Sequence, residues 1–86
     1  MKNKITTKQI HIRYYALLRE ERGLTEETVT TSAQTALDLL DEVRTKYNFK
    51  LPVNLLKVAI NNQFEDWDTE LKTGDALVFI PPVAGG

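Results

Sequence analysis

The chain has no cysteine, one histidine and one tryptophan, and only three prolines and four glycines in 86 residues. Without thiols there is neither a disulfide frame nor a thiolate metal site, a composition that suits a reducing compartment. No basic cluster exceeds three residues and the net charge is −1, so a surface that tracks nucleic-acid phosphates is not expected. No apolar run reaches membrane-spanning length, and the charged opening "MKNKITTKQI" lacks the core of a signal peptide. The expectation is a small cytoplasmic domain with no nucleic-acid or membrane partner. The scarce residues are also unevenly placed. Two prolines and two glycines fall in the last six positions, within "ALVFIPPVAGG".

Eighty-six residues leave room for one core and hence one domain. An apolar content of 42% with 27% charged residues is that of a folded chain rather than a disordered one. "QIHIRYY" (9–15) alternates, with Ile10, Ile12 and Tyr14 on one side and His11, Arg13 and Tyr15 on the other, as in a strand with one buried face. "ALLREERG" breaks that alternation, has room for one helical turn, and stops at Gly23. The threonine-rich "LTEETVT" (24–30) reads as a strand paired back on the first.

A helix follows. Ala36, Leu40, Val43 and Tyr47 form one apolar stripe, and Asp38, Asp41 and Glu42 precede Arg44 and Lys46 in the order the helix dipole favours. Thr31-Ser-Ala-Gln34 fits a capping box, and Asn48 and Pro52 close the segment. "LKVAINNQFE" (56–65) is a strand, an Asn61-Asn62 turn and a short return strand. "WDTELKTGD" is an irregular connection to a Gly74-Asp75 turn, and "ALVFI" (76–80) is a continuous run suited to a central strand. One amphipathic helix over one face of a mixed sheet makes an α+β domain. Residues 1–8 are expected as a flexible extension, 9–81 as the domain, and 82–86 as an extended tail.

Few residues suggest catalysis within the chain. His11 has no ligand partner in sequence and reads as an exposed strand residue. "EDWDTE" begins like a calcium loop, but Leu71 stands where the turn glycine belongs, which leaves a solvated acidic loop. Arg13, Tyr14 and Tyr15 could stack on a base, a reading that the acidic balance disfavours. No glycine-rich loop opens a helix, and no nucleophile is spaced to meet a base. Tyr15, Phe64 and Ile80 can share the sheet face opposite the helix, either as scattered apolar residues or as a patch for a partner.

The tail is more specific. Pro81-Pro82 cannot extend a sheet ladder and favours an extended path away from the domain. Val83 and Ala84 offer modest apolar grip, while Gly85 and Gly86 lack a Cβ and can enter a channel too narrow for other residues. At the end stands the carboxylate of Gly86, a poor electrophile until it is activated, for example as a mixed anhydride with a nucleotide. Two terminal glycines arise by chance in roughly one chain in two hundred at a glycine frequency of ~7%. Their coupling to a diproline and a strand argues for use rather than fraying.

From about Ile10 to Gly86 the sequence resembles the small subunit of molybdopterin synthase, a family of ubiquitin-like β-grasp sulfur carriers. "YYALLREERG" is similar to the segment after that family's first strand, "VAINNQF" to its third strand and turn, and "LKTGDALVFIPPVAGG" to its last strand and tail. The N-terminal extension, Ala84 in place of Ser or Thr, and Ile80 in place of an aromatic depart from the pattern. The resemblance implies a β-grasp fold and a carrier that is not catalytic alone and binds no cofactor itself. An E1-like adenylating enzyme would join Gly86 to AMP using ATP with Mg. A sulfur donor, such as a cysteine desulfurase or rhodanese, would then leave a thiocarboxylate. The tail, Pro81 to Gly85, would insert into the large subunit of a heterotetramer, where the sulfur attacks cyclic pyranopterin monophosphate. By position, Tyr15, Phe64 and Ile80 fall on the family's docking surface. A thiamine-pathway carrier, a ubiquitin-like modifier and an inert-tailed interaction domain remain as alternatives.

Overall fold

The computed structural model describes residues 7–82, and the tail positions Val83, Ala84, Gly85 and Gly86 lie outside that range, as do residues 1–6. The elements are β1 (Lys8–Tyr14), α1 (Ala16–Arg22), β2 (Glu26–Thr31), α2 (Ala36–Tyr47), a 3₁₀ turn (Val53–Leu55), β3 (Lys57–Ile60), β4 (Gln63–Glu65) and β5 (Ala76–Ile80). The five strands form one sheet in the order β2-β1-β5-β3-β4. β1 and β5 run parallel at its centre, and every other pair is antiparallel.

Strand alternation fixes the faces. Ile10, Ile12 and Tyr14 are fully buried, as are Leu77 and Phe79 of β5, while Val58 and Ile60 of β3 are nearly so. Ala36, Leu39, Leu40 and Val43 of α2 join them in a single core, with Tyr47 packed at its margin. Phe49 continues this core, its ring edge-on to Tyr14 at 5.9 Å, and Trp67 stacks on Phe79 at 6.1 Å. The Asn61-Asn62 hairpin has φ of 53° and 73°, the left-handed pair that a two-residue turn between twisted strands requires. Asn61 also donates from Nδ2 to Asp75 Oδ1 and accepts from the Ala76 N–H, which ties this hairpin to the start of β5.

Two local expectations are corrected. "ALLREERG" holds a helix of 7 residues rather than a single turn, ended by Gly23 at φ 82°, whose N–H donates to the Arg19 carbonyl. Its one buried residue, Leu18, is too few for a periodic signal. The second correction is the cap of α2. Thr35 Oγ1 accepts from the Asp38 N–H, and an Asp38 carboxylate oxygen accepts from the Thr35 N–H. Thr31 is unavailable because it ends β2, buried, with its hydroxyl donating to Glu42 and accepting from the Ala33 N–H.

Helix α1 is held by Leu18, which is fully buried in the core, and by charge. Arg22 grips Glu27 with two N–H donors, each at 2.8 Å, and lies 3.8 Å from the centre of the Tyr47 ring. The Tyr14 hydroxyl donates to the same carboxylate at 2.7 Å. The Arg22 hydrogen bonds hold the Glu27 carboxyl below its ordinary value, helped by Tyr14 and opposed by burial. A depressed carboxylate stabilises the fold fully above its unfolded value near 4.5, and that contribution fades as pH falls through the folded value. Glu27→Gln should therefore lower stability near neutrality by ~2 kcal/mol and flatten the acid limb of the stability curve. Urea unfolding from pH 7 down to pH ~3 checks both.

Candidate functional site

The sheet face opposite α2 is assembled by register. One row crosses all five strands as Glu26, Arg13, Val78, Ala59 and Phe64. A second places His11 between Thr28 and Ala76, and a third sets Lys57 beside Ile80. The row is charged at the β2 end and apolar at the β4 end. At the charged end, His11 Nε2 lies 2.8 Å from Glu26 Oε1 and its Nδ1 lies 3.2 Å from Thr28 Oγ1. Arg13 approaches the same carboxylate at 3.5 Å. The hydrogen bond from His11, followed by the charge of Arg13, keeps the Glu26 carboxyl low. The Arg13 guanidinium is raised mainly by its hydrogen bond with Tyr15 and then by Glu26. His11 is thus occupied by strand neighbours, and among the described residues no three His, Asp or Glu side chains converge as metal ligands.

The apolar end is open. Phe64 retains 71% of its surface, the largest exposure among the large apolar side chains described. Ala59, Val78, Ala76 and Ile80 are half-buried, as expected for small and branched residues on a solvent-facing sheet. The residues expected to form a patch are only partly brought together. Tyr15 and Ile80 line one hollow, while Phe64 stands on β4, two strand spacings or about 10 Å from β5. Val78 and Ala59 bridge the gap. Neither was singled out from sequence, although continued alternation through "ALVFI" and "KVAI" carries the signal. The Arg13-Tyr14-Tyr15 stacking cluster is not formed, because Tyr14 points into the core and is fully buried.

The hollow lies where β5 ends. Tyr15, Leu17, Leu51, Ile80, Pro81 and Pro82 line an open, mainly apolar groove of about 530 Å³. Pro81 is buried and Pro82 exposed. Ala16, between Tyr15 and Leu17, has φ 51°, a left-handed value that disfavours residues with a Cβ. The chain passes there from β1 into α1, and Leu17 lines the same groove as Ile80 and Pro81 at the end of β5.

A mixed sheet of this order, with its longest helix on one face, defines a ubiquitin-like β-grasp domain. The domain presents an outer face that is charged towards β2 and apolar towards β4, and its central strand leads to the C-terminal segment. The chain belongs to the ThiS family of ubiquitin-like sulfur carriers, whose sequence model matches residues 12–86.

Solved structures extend the likeness across the chain. The solution structure of the HVO 2177 protein of Haloferax volcanii superposes with a TM-score of 0.79 at 24% identity, covering 100% of this chain and 93% of that one. A putative molybdopterin converting factor, subunit 1, from Pyrococcus furiosus gives 0.72 at 26% identity, covering 88% and 99%. A chain of the BexX/CysO complex of Amycolatopsis orientalis gives 0.63 at 25% identity, covering 90% and 99%. Among curated proteins no significant match is found. The fold is therefore the β-grasp that the resemblance implied, and the family is shown as ThiS. The last of these structures is that of a complex, BexX/CysO.

Proposed function

We propose that this chain carries sulfur for the dithiolene of the molybdenum cofactor. The carrying observation is the continuity of β5. Its outward residues Ala76, Val78 and Ile80 lie on the open face, and the strand runs directly into Pro81-Pro82 ahead of the terminal diglycine. One surface can thus dock a partner while the same strand delivers the carboxylate to it.

The cycle starts when the Gly86 carboxylate attacks the α-phosphate of ATP, held with Mg by an E1-like enzyme, and pyrophosphate leaves. A donor persulfide then attacks the acyl-adenylate and displaces AMP, and a thiol cleaves the resulting acyl disulfide, leaving the thiocarboxylate on Gly86 and a disulfide on the donor side. In the large subunit of a heterotetramer this sulfur attacks cyclic pyranopterin monophosphate. Acid–base groups for that step belong to the large subunit; Gly86 supplies the sulfur, Gly85 the clearance, and Pro81, Pro82 and Val83 the reach. The diproline spacer and the likeness to the Pyrococcus furiosus protein support this pathway over the thiamine one.

Co-expression with the adenylating enzyme and a donor should give an intact mass shifted by one oxygen-to-sulfur exchange at the C-terminus. Mixing that product with the large subunit and the cyclic precursor should yield the dithiolene. An unshifted mass would remove the sulfur-carrier role. A shifted mass that feeds only thiazole synthesis would move the chain to thiamine, and higher-mass conjugates to cell proteins would favour a modifier.

A further inference from the structure

The direction in which the tail leaves the sheet requires more than two prolines. A diproline stiffens a segment but does not orient it relative to the domain. Orientation needs the first proline to be seated, and Pro81 is buried in the groove that Leu17 and Leu51 also line. Leu17 is 44% exposed and lies outside the hydrophobic core, so core packing gives no account of an apolar residue there. Leu51 packs at the core's margin and reaches the same groove from the segment after α2. The parallel register pairs Tyr14 with Phe79, so the next residues of the two strands run side by side into the groove. Leu17 follows the left-handed Ala16 and lines the groove with Ile80, Pro81 and Pro82.

We infer that Leu17 and Leu51 are positioning residues that seat Pro81 and set the angle at which the C-terminal segment leaves β5. This rests on the sulfur-carrier reading, since an inert tail would need no aim. Neither residue touches the reacting atoms. Each acts by confining the root of a lever whose far end must meet an activating site, where a misplacement of ~1 Å can cost about a hundredfold in rate. Loosening the root should therefore reduce the rate of the bound complex while sparing the docking contributed by Val78, Ala59 and Phe64, which lie off the groove.

The experiment is steady-state adenylation of the full chain by its E1-like enzyme, followed by pyrophosphate release. Leu17→Ser and Leu51→Ser should each lower kcat about fivefold to twentyfold, and the double variant further, with KM for the carrier unchanged within twofold. Leu17→Met should restore most of the rate, because it refills the groove. Circular dichroism melts separate this from unfolding: Leu17→Ser should retain the wild-type transition. NOEs from the Leu17 methyls to the Pro81 ring should be present in the wild type. Wild-type kcat in both serine variants, or a loss expressed only in KM, would overturn the inference. Absence of any adenylation of the wild-type chain would instead remove the sulfur-carrier reading beneath it.

Discussion

Removing Gly86 should lower thiocarboxylate formation at least ~100-fold and leave the unfolding transition unchanged. The shortened chain still ends in a glycine carboxylate, so the loss measures reach rather than chemistry. One residue of extended chain spans ~3.5 Å, several times the misplacement that already costs two orders of magnitude in an aligned reaction. Appending one alanine after Gly86 should be as damaging, because it moves the carboxylate onward and adds a Cβ where the diglycine has none. Stability should be spared in both variants, since the last sheet pairing is Lys57 with Ile80, six residues before the end. Mass spectrometry after co-expression reads the first outcome and chemical denaturation the second. Wild-type sulfur loading in either variant would sink the tail mechanism.

Phe64→Ala should weaken binding to both the adenylating enzyme and the large subunit about 30-fold, the ~2 kcal/mol expected of an aromatic anchor at an interface. The side chain closes the apolar end of the row Val78–Ala59–Phe64 and retains 71% of its surface, so the isolated domain gains little from it. Truncation should therefore change unfolding free energy by under ~0.5 kcal/mol. Phe64→Leu should fall between wild type and alanine. Titration calorimetry with each partner decides the matter. Unchanged affinity for both would mean that this face is ordinary exposed surface and that docking occurs elsewhere.

The elements most legible in the sequence are those whose signal is local. Ile10, Ile12 and Tyr14 alternate with polar residues, and that alternation alone places them in the core. Ala36, Leu40 and Val43 repeat at helical spacing, and Asn61-Asn62 announces its own turn geometry. The errors come from choices made by distant residues. Thr31 and Thr35 each precede a side chain able to complete a capping box, and local spacing cannot choose between them. Thr31 is committed to β2 by pairing with Lys8, and to α2 by its bond to Glu42. The short helix α1 is similarly opaque, because one buried residue, Leu18, and the Arg22–Glu27 pair across the Gly23 turn secure it rather than an apolar stripe. For the site, sequence supplied the diglycine and three apolar residues, but the bridging pair Ala59 and Val78 emerges only once β3 and β5 are set in register.

The position of β5 also governs how the sheet is completed. It is the last of the five strands along the chain yet lies between β1 and β3, so the β1–β2 and β3–β4 hairpins have no sheet in common until it arrives. A nascent chain halted before Ala76 lacks the row through Val78 that joins Arg13 to Ala59, and so presents no continuous outer face. Pairings across such sequence separations carry a large loop-closure cost, so the outer face is completed only when β5 joins β1 and β3. The middle strand thereby ties two features to one another, since a product that lacks β5 loses both the continuous outer face and the strand leading to the diglycine.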